Sequence, residues 1–465
     1  MSVLSPSSYR RELVRAFARG FTLAGLHATE GGAVVRVALV SPEGEVRLES
    51  VAPREGVVPT IVDRAPSAAW DEREAFDLYG VRFSGHEPLR PLVDHDLELA
   101  RWTVPVRGDD PYQVAVGPIH AGVIESGHFR FHVVGDRILH VDVRLFYKHR
   151  GLERAAEGLP LAEAIAVVSR ACAACAVANG VAYAQACEDA LGLRATEELA
   201  RGRTILLELE RGWSHLNDIA AVCAGVGLAA GNMRFAALCE RMRRLNAVLT
   251  GHRFLFGTVE VGRSSLALGA EAVRAARDEL QEVGVGARSA WRELQFNGSF
   301  QDRLPDIGVL DAADVARLGT VGPAARAAGV RTDVRSASHG LAYEGFEPVM
   351  PERAEGDVQA RLEQRALELW QSLEILDALL DRPLRGAAAE QDGEDASLGV
   401  GRVESPRGAT LCVVERSDDR LDRVRLRTGS YANWPSVAHA AADNLLPDFP
   451  LVNKSFELCY ACADR

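Results

Sequence analysis

Two cysteine pairs are the residues of this chain whose type and spacing best suit chemistry. Cys172 and Cys175 form one Cys-x-x-Cys pair, and Cys459 and Cys462 form the other. One such pair is a weak signal, but two pairs can supply the four ligands of a metal site. Zinc ribbons keep their pairs within about 20 residues of each other, whereas roughly 280 residues separate these two. The pairs can therefore meet only through the tertiary fold.

Spacing alone leaves two interpretations open, a shared metal site or two unrelated thiol pairs. A thioredoxin-type redox motif needs a strand-to-helix turn, whereas the Ala-rich segment around Cys172 and Cys175 favours a continuous helix. Four thiolates together would select a soft or borderline metal, such as nickel, iron or zinc. The remaining cysteines stand alone among apolar neighbours, as buried and inert thiols of a reducing compartment do. They are Cys187, Cys223, Cys239 and Cys412.

The first hundred residues have the pattern of a small α+β domain. Tyr9–Arg19 is typical of a short helix, and the β-rich runs Ala33–Val40 and Val46–Val51 enclose good hairpin-turn residues. After a Pro-bearing stretch, the segment Pro105–Gln113 is interpreted as a linker. We therefore predict a first domain over residues 1–104.

The second domain, residues 105–465, is predicted to be mainly helical with small β-hairpins. Hairpin signals occur over residues 128–147 and 409–427. Between them, apolar residues recur at steps of four and three along Gln359–Asp381, which indicates a helix packed in a bundle. The acidic, Ala-rich segment Gly386–Gly399 is expected to be a solvated loop. The predicted fold class is α+β.

The charge balance argues against a nucleic-acid partner. The chain has 53 Lys and Arg against 65 Asp and Glu, a net charge of -12, whereas phosphate neutralisation needs clustered basic charge. No run of about 18 apolar residues occurs, so no transmembrane helix is expected. The N-terminal residues lack the apolar region of a signal peptide, so we expect a cytoplasmic protein.

Six short motifs together resemble a known family; they are Gly117–His120, Tyr147–Glu153, Glu210–Leu216, Gly322–Gly329, Ser405–Gly408 and Asp448–Phe456. They resemble the large subunit of group 4 membrane-associated [NiFe] hydrogenases of the formate-hydrogenlyase type, and also the homologous 49-kDa-type subunit of NADH:quinone oxidoreductase. Glu72–Arg90 resembles the 30-kDa-type subunit, fused in front. The resemblance implies a 30-kDa-type domain over residues 1–104 and a [NiFe]-hydrogenase large-subunit domain over residues 105–465.

The cysteines distinguish the two branches, because hydrogenases need all four and quinone-reducing members have generally lost them. The resemblance implies that Cys172 and Cys459 are terminal nickel ligands and that Cys175 and Cys462 bridge nickel and iron. In this family the iron also carries cyanide and carbon monoxide ligands. The resemblance further allows a magnesium ion. The chain is expected to hold no iron–sulfur cluster of its own, because no cysteines are left to bind one.

Two further residues match positions that have catalytic roles in the hydrogenase branch. Glu125 stands where those hydrogenases place the first proton acceptor beside a thiolate, and Ile124 stands where the quinone branch uses a histidine. Arg407 matches an arginine above the metal site that polarises substrate and hydrogen-bonds the diatomic ligands. Four other matching residues are expected to be structural or to orient metal ligands. They are His120, His149, Glu153 and His215.

Three positions depart from the family pattern. Ala173 replaces a glycine, Asn179 replaces a histidine four residues after the second cysteine, and Glu457-Leu458 replaces Asp-Pro before the second pair. An amide can hydrogen-bond a thiolate sulfur but cannot carry the proton chemistry of histidine. Ligation is therefore expected to be intact while its surroundings are altered. Relatives are often cleaved after a residue in the position of Arg465.

The sequence thus predicts the catalytic large subunit of a hydrogenase complex that interconverts H2 with protons and electrons. Its expected partners are an iron–sulfur small subunit and integral membrane subunits, with this chain bound peripherally at the cytoplasmic side of the membrane. One alternative is a complex-I-like subunit that reduces a quinone or another carrier without nickel. Another is a scaffold subunit whose thiols bind zinc or no metal. Nickel content separates the first prediction from both alternatives.

Overall fold

The computed structural model describes residues 3–96, 102–108, 110–120, 125–337, 339–345 and 347–465. Ile124, which bears on the quinone branch, lies outside them. Within these ranges no single helix has the length and hydropathy to cross a membrane. Two consecutive helical segments, Leu161–Ala171 and Ala173–Ala190, are together long and apolar enough, but the chain bends by 118° between them.

Residues 3–84 enclose an apolar core of their own and are called the N-terminal unit here. Its elements are β1 (Val3–Leu4), α1 (Pro6–Ala18), β2 (Thr22–Ala28), β3 (Val35–Val40), β4 (Val46–Val51), β5 (Val57–Pro59), α2 (Ala69–Tyr79) and β6 (Arg82–Ser84). The main sheet has the order β1-β4-β3-β2, and β5 pairs with β6. The hydroxyl of Ser5 caps α1 by accepting the N–H of Ser8. One face of α1 then buries Tyr9 and Leu13 in this core.

The strands of the remaining chain form two three-stranded antiparallel sheets and two short pairs. The first sheet joins β7 (Tyr112–Val116), β8 (His128–Val134) and β9 (Arg137–Arg144) in that order. The second joins β14 (Leu398–Ser405), β15 (Gly408–Ser417) and β16 (Arg420–Arg427). The short pairs join β10 (Leu193–Arg194) to β13 (Glu390–Gln391), and β11 (Arg263–Ser264) to β12 (Ala387–Ala388).

Helices form most of the remaining structure. They are α3 (Leu152–Ala156), α4 (Leu161–Val168), α5 (Ala176–Ala190), α6 (Glu197–Gly225), α7 (Ala229–Thr250), α8 (Ala270–Gln295), α9 (Gly298–Gln301), α10 (Ala312–Leu318), α11 (Pro323–Arg326), α12 (Val358–Leu379), α13 (Gly429–Ala441), α14 (Phe449–Phe456) and α15 (Tyr460–Asp464). Helix α6 is 29 residues long and nearly all of it is buried. It packs on both α7 and α12, so it lies at the centre of the helical bundle.

Two glycines let strand β14 press directly against α5. A Cβ at Gly401 would lie 2.0 Å from the carbonyl oxygen of Ala182, and one at Gly399 would lie 2.1 Å from that of Ala186. Because real side chains do not approach so closely, the strand and helix can meet only at glycine. This contact fixes α5, the helix that follows the first cysteine pair.

The α+β class is confirmed, and so are the helix predicted over Gln359–Asp381 and both hairpins. The continuous helix expected around the first cysteine pair is wrong, because Cys172 has an extended backbone with φ -158° and ψ 144°. The loop expected over Gly386–Gly399 is exposed for most of its length but contains β12 and β13. The linker expected over Pro105–Gln113 ends in the first residues of β7. The domain boundary at residue 104 stays a prediction.

Candidate metal centre

The first cysteine pair lies at a sharp break between α4 and α5. Two short 3-10 turns, Ser169–Ala171 and Ala173–Cys175, flank the extended residue Cys172. Its sulfur accepts the N–H of Ala174 at 3.1 Å. At this break the side chains of Cys172 and Cys175 lie in one small apolar cluster.

The second pair reaches the same cluster from the C-terminal segment. Glu457 ends α14 in the left-handed region with φ 46°, and Cys459 then caps the start of α15. The N–H of Cys459 donates to the hydroxyl of Ser430 at 3.0 Å. The sulfur of Cys459 lies 2.8 Å from that of Cys172, and the ligand atoms of these two and Cys462 lie within 4.8 Å of one another.

The four thiols thus form one cluster with Cys175 packed among them, so the interpretation as two unrelated pairs is wrong. Hydrogen bonds with the thiols of Cys172 and Cys462 lower the pKa of Cys175 to about 6. Its own hydrogen bond with Cys172 raises the pKa of the Cys459 thiol above the usual range. The lowered pKa of Cys175 favours its thiolate, which is the form that ligates metals.

The other cysteines behave as predicted. All four are buried and free. Burial raises the pKa of Cys187 and Cys223 to about 12 and that of Cys239 to about 11, and it raises the pKa of Cys412 further. Thiols held in the protonated form are poor ligands. These four cysteines also lie in the main apolar core, outside the thiol cluster, and this position sets them apart from the clustered cysteines.

Arg407 lies over the cluster and is held by two other groups. Its Nε donates to the carbonyl oxygen of Glu457 at 2.9 Å, and its Nη2 donates to Asp218 at 2.8 Å. Its remaining nitrogen, Nη1, is buried and has no hydrogen-bond partner among the described residues. Burial opposes the shift, but Asp218 and the nearby cysteines Cys175 and Cys172 raise the pKa of this guanidinium group. A buried donor without an acceptor is costly, so it marks a place where a further group fits.

Asn179 is a second such group. It lies in the first turn of α5, four residues after Cys175, which is the residue that precedes the helix. The residue is 0% exposed, and neither its amide nitrogen nor its amide oxygen has a partner within the described ranges. Soft thiolate ligands together with two orphaned donors suit a metal group that carries acceptor ligands of its own. The residues present therefore fit a nickel–iron group with cyanide and carbon monoxide on the iron.

Glu125 lies against the turn between the two cysteines of the second pair. Its carboxylate accepts the N–H of Ala461 at 2.7 Å. Burial, followed by the neighbouring Cys459, raises the pKa of Glu125 above its usual value. A partly buried carboxyl beside a thiol can take up and release a proton.

Two buried carboxyls near the cysteines were not recognised as site residues from the sequence. Glu210 on α6 accepts the N–H groups of Val177 and Ala178, at 2.7 and 3.0 Å, and so caps the start of α5. Burial raises the pKa of Glu210 to about 8, and burial followed by Asp218 raises that of Glu457 to about 8. In the sequence, Glu210 is part of a family motif, and Glu457 is only a departure from the family's Asp-Pro. No local sequence feature indicated that either carboxyl is removed from water.

A buried network of ion pairs holds Arg407 in place through Asp218. Asp218 bonds Arg365 at 3.0 Å as well as Arg407, and its other neighbour, His215, bonds Glu368 at 3.1 Å. Although burial opposes the shift, the guanidinium groups of Arg407 and Arg365 lower the pKa of Asp218. Carboxylates this firmly ionised keep their charge, so the network fixes the position of Arg407.

The residues expected to have structural roles lie in different places. His149 bonds the carbonyl oxygen of Asp464 at 2.7 Å, Glu153 accepts the N–H of Leu426 at 2.9 Å, and His215 is fully buried in the ion-pair network. His120 is exposed. The first three therefore brace the segments that carry the cysteines and Arg407.

The magnesium ion that the resemblance allows stays a prediction. Magnesium needs oxygen ligands in near-octahedral order. Near the C-terminal segment, the carboxylates of Glu74 and Glu153 contact arginine side chains. Within the described ranges, the thiols form the only group of three or more potential ligands with this close spacing.

Two family models match the chain. The model described as respiratory-chain NADH dehydrogenase, 30 Kd subunit, matches residues 14–115. The model described as respiratory-chain NADH dehydrogenase, 49 Kd subunit, matches residues 226–399. The two models follow each other in one chain, as the fused arrangement predicts.

Individual relatives cover more of the sequence. Formate hydrogenlyase subunit 5 of Escherichia coli (strain K12) is 30% identical, and the alignment covers 88% of this chain and 77% of that protein. The C/D 2 protein of NADH-quinone oxidoreductase from Aquifex aeolicus (strain VF5) is 27% identical over 71% of this chain and 65% of that protein. A chain of an archaeal membrane-bound sulfane sulfur reductase complex superimposes with a TM-score of 0.69 at 26% identity, covering 77% of this chain and 99% of that chain.

Proposed function

This chain belongs to the oxidoreductase family that includes formate hydrogenlyase subunit 5 and the fused 30-kDa and 49-kDa subunits of NADH-quinone oxidoreductase, and within it we propose a catalytic large subunit of a group 4 [NiFe] hydrogenase. Its reaction would be the reversible oxidation of H2 to protons and electrons. The alternative within the same family is a subunit that reduces a quinone or another carrier without nickel.

The observation that supports the hydrogenase proposal most directly is the clustering of four thiols at one place. The fold does not separate the possibilities, because a sulfane sulfur reductase complex and an NADH-quinone oxidoreductase both have related chains. Four clustered cysteines from two distant segments are ligands without an evident use in quinone chemistry. Their softness and the orphaned donors of Arg407 and Asn179 favour a metal group with its own acceptor ligands.

Each residue has a definable task in this function. Cys172, Cys175, Cys459 and Cys462 would hold the nickel–iron group, with the terminal and bridging roles that the family resemblance implies. When bound, the nickel–iron group would supply Lewis acidity toward H2. Arg407 would direct its free Nη1 donor toward the ligands and the substrate, while Asp218 keeps the guanidinium group in place.

Glu125 would carry the proton away from the thiols. Its Oε2 is tied to the N–H of Ala461, so the carboxyl stays beside the second cysteine pair during proton exchange. Its raised pKa lets it hold a proton and pass it on without a large barrier. A glutamine at this position keeps the hydrogen bond to Ala461 but cannot exchange the proton.

Electrons would leave through an iron–sulfur small subunit, because the other cysteines of this chain are dispersed and protonated. Relatives whose names place them in membrane-bound complexes support attachment to integral membrane subunits. We place the chain at the cytoplasmic side of the membrane, as a peripheral subunit of such a complex.

Elemental analysis of the purified native complex for nickel, iron and zinc tests the proposal. We expect about one nickel per chain, lost in Cys172→Ser and Cys462→Ser. Cys239→Ser is the matched control, because Cys239 is a buried thiol outside the cluster whose bond to the carbonyl of Trp213 a serine can keep.

The same preparations are then assayed for hydrogenase activity. H2-dependent reduction of a viologen dye should be lost in Glu125→Gln while nickel is retained. A complex without nickel, from cells that load other hydrogenases, would overturn the hydrogenase proposal and leave the carrier-reducing alternative. Nickel with no H2 activity in the wild type would overturn the assigned reaction but not the site.

A further inference from the structure

The last residues of the chain are tied to the N-terminal unit by a buried ion pair. Nη2 of Arg465 donates to both carboxylate oxygens of Glu74, at 2.7 and 2.6 Å. Glu74 lies on α2 and is 4% exposed, while Arg465 is 2% exposed. A charged pair that binds two oxygens in a desolvated place is both strong and directional.

Further charges of the same two regions surround this pair. Arg425 on β16 also bonds Glu74, and it lies 3.1 Å from Asp71 on α2. Although burial opposes it, Arg425 and Arg465 hold the pKa of Glu74 well below its usual range. Helix α2 therefore presents two carboxyl side chains, Asp71 and Glu74, to a row of arginines, and Glu74 is the one that bonds Arg465.

The position of Arg465 couples this pair to the thiols. Arg465 follows Cys462 by three residues, which is less than one turn of α15. Helix α15 has only five residues, so it is not stable by itself and takes its place from contacts made by its ends. Most of those contacts come from the same domain as the thiols; they involve Glu125, Thr428, Ser430 and the backbone of Phe146 and Lys148.

We propose that Glu74 is a positioning residue for the metal-binding thiols. By holding Arg465, the N-terminal unit keeps residues 459–465 packed against Cys172 and Cys175. Docking of the N-terminal unit and formation of the four-thiol cluster are thereby one coupled event. This inference concerns the thiols themselves and holds for whichever metal they bind.

Thiol alkylation in the metal-free full-length chain tests the coupling. Each cysteine is followed by mass spectrometry during reaction with iodoacetamide. In Glu74→Gln, loss of the ionised partner should raise the reaction rates of Cys459 and Cys462 about tenfold or more, because local opening of α15 becomes easier. Cys187 and Cys412, buried in the main core, should stay as protected as in the wild type.

Asp63→Asn is the matched control, because Asp63 also pairs with an arginine of the N-terminal unit but lies on its surface. It should leave all eight rates unchanged. Equal rates for Cys459 and Cys462 in Glu74→Gln and the wild type would overturn the proposal. So would metal binding to Glu74→Gln with unchanged stoichiometry and affinity for zinc.

A second variant covers the case in which Glu74→Gln unfolds and exposes Cys187 as well. Arg465→Lys keeps the charge but replaces the planar guanidinium group, whose Nη2 binds both oxygens of Glu74 while Nη1 binds the carbonyl oxygen of Leu426, with one ammonium group that cannot fill both positions. It should raise the rates of Cys459 and Cys462 by a smaller factor with Cys187 still protected. Wild-type rates in Arg465→Lys, together with global unfolding of Glu74→Gln, would assign Glu74 a merely structural role and overturn the coupling.

Discussion

Glu210 makes the stability of the metal-free chain depend on pH in a way that can be calculated. Burial raises its pKa from the usual 4.5 to about 8, while the unfolded chain should titrate near the usual value. Between these two values the folded state binds the proton more tightly, so stability is full at low pH and falls as the pH rises. Relative to its value at low pH, the free energy of unfolding is lowered through Glu210 by about 1 kcal/mol at pH 5 and by about 3 kcal/mol at pH 7.

Glu210→Gln removes the titration and keeps one acceptor oxygen for the N–H groups of Val177 and Ala178. We expect the free energy of unfolding of the wild type to fall by about 2 kcal/mol more than that of the variant between pH 5 and 7. A constant offset between the two curves, from the hydrogen bond that glutamine loses, does not affect this difference.

Urea denaturation of the metal-free chain at pH 5, 6, 7 and 8 measures both curves. Glu163→Gln serves as the control, because Glu163 is an exposed carboxylate on the neighbouring helix α4. Its curve should run parallel to that of the wild type. Parallel curves for the wild type and Glu210→Gln as well would refute the reasoning, because they would mean that Glu210 has an ordinary pKa in the folded chain.

Three further predictions concern other parts of the structure. Arg407→Met should cost about 3–5 kcal/mol of unfolding free energy, because it leaves Asp218 buried beside fewer cations, whereas Arg407→Lys should cost less; equal losses in denaturation would contradict this. Gly401→Ala should destabilise the chain by more than about 3 kcal/mol through its clash with Ala182, and Gly393→Ala, where a Cβ would make only ordinary contacts, should be neutral in the same assay. Glu125→Gln should keep nickel and lose H2-dependent dye reduction, and retained activity would remove Glu125 from the proton path.

Patterns that repeat along the chain were predictable because they reflect burial of one face. The apolar stripe of Gln359–Asp381 indicated α12 to within a few residues, since three- and four-residue steps place one side of a helix in a core. The turn Gly135-Asp136 likewise indicated the hairpin of β8 and β9. Both signals are local, and each predicted only the structure of its own segment.

Features that depend on contacts distant in sequence were not predictable in this way. The extended backbone at Cys172 contradicts the helix propensity of its Ala-rich neighbours, because tertiary contacts override propensity. The raised pKa of Glu210 comes from its burial between α5 and α6, which no local motif reveals. The pair between Arg465 and Glu74 joins positions 391 residues apart. The family resemblance identified the cysteines, but only the fold shows that the two pairs meet.

The charges around the thiols explain why so many arginines are buried in this part of the chain. A cluster that carries thiolate charge in a dry interior needs compensating positive charge, and Arg407 supplies it from one side. A lone guanidinium group would be mobile, so Asp218 fixes it, and Arg365 and His215 in turn balance Asp218. Arg465, three residues after Cys462, is in turn fixed by Glu74. The two arginines are thus held by different parts of the chain, and the proposed coupling predicts that the thiol cluster needs both.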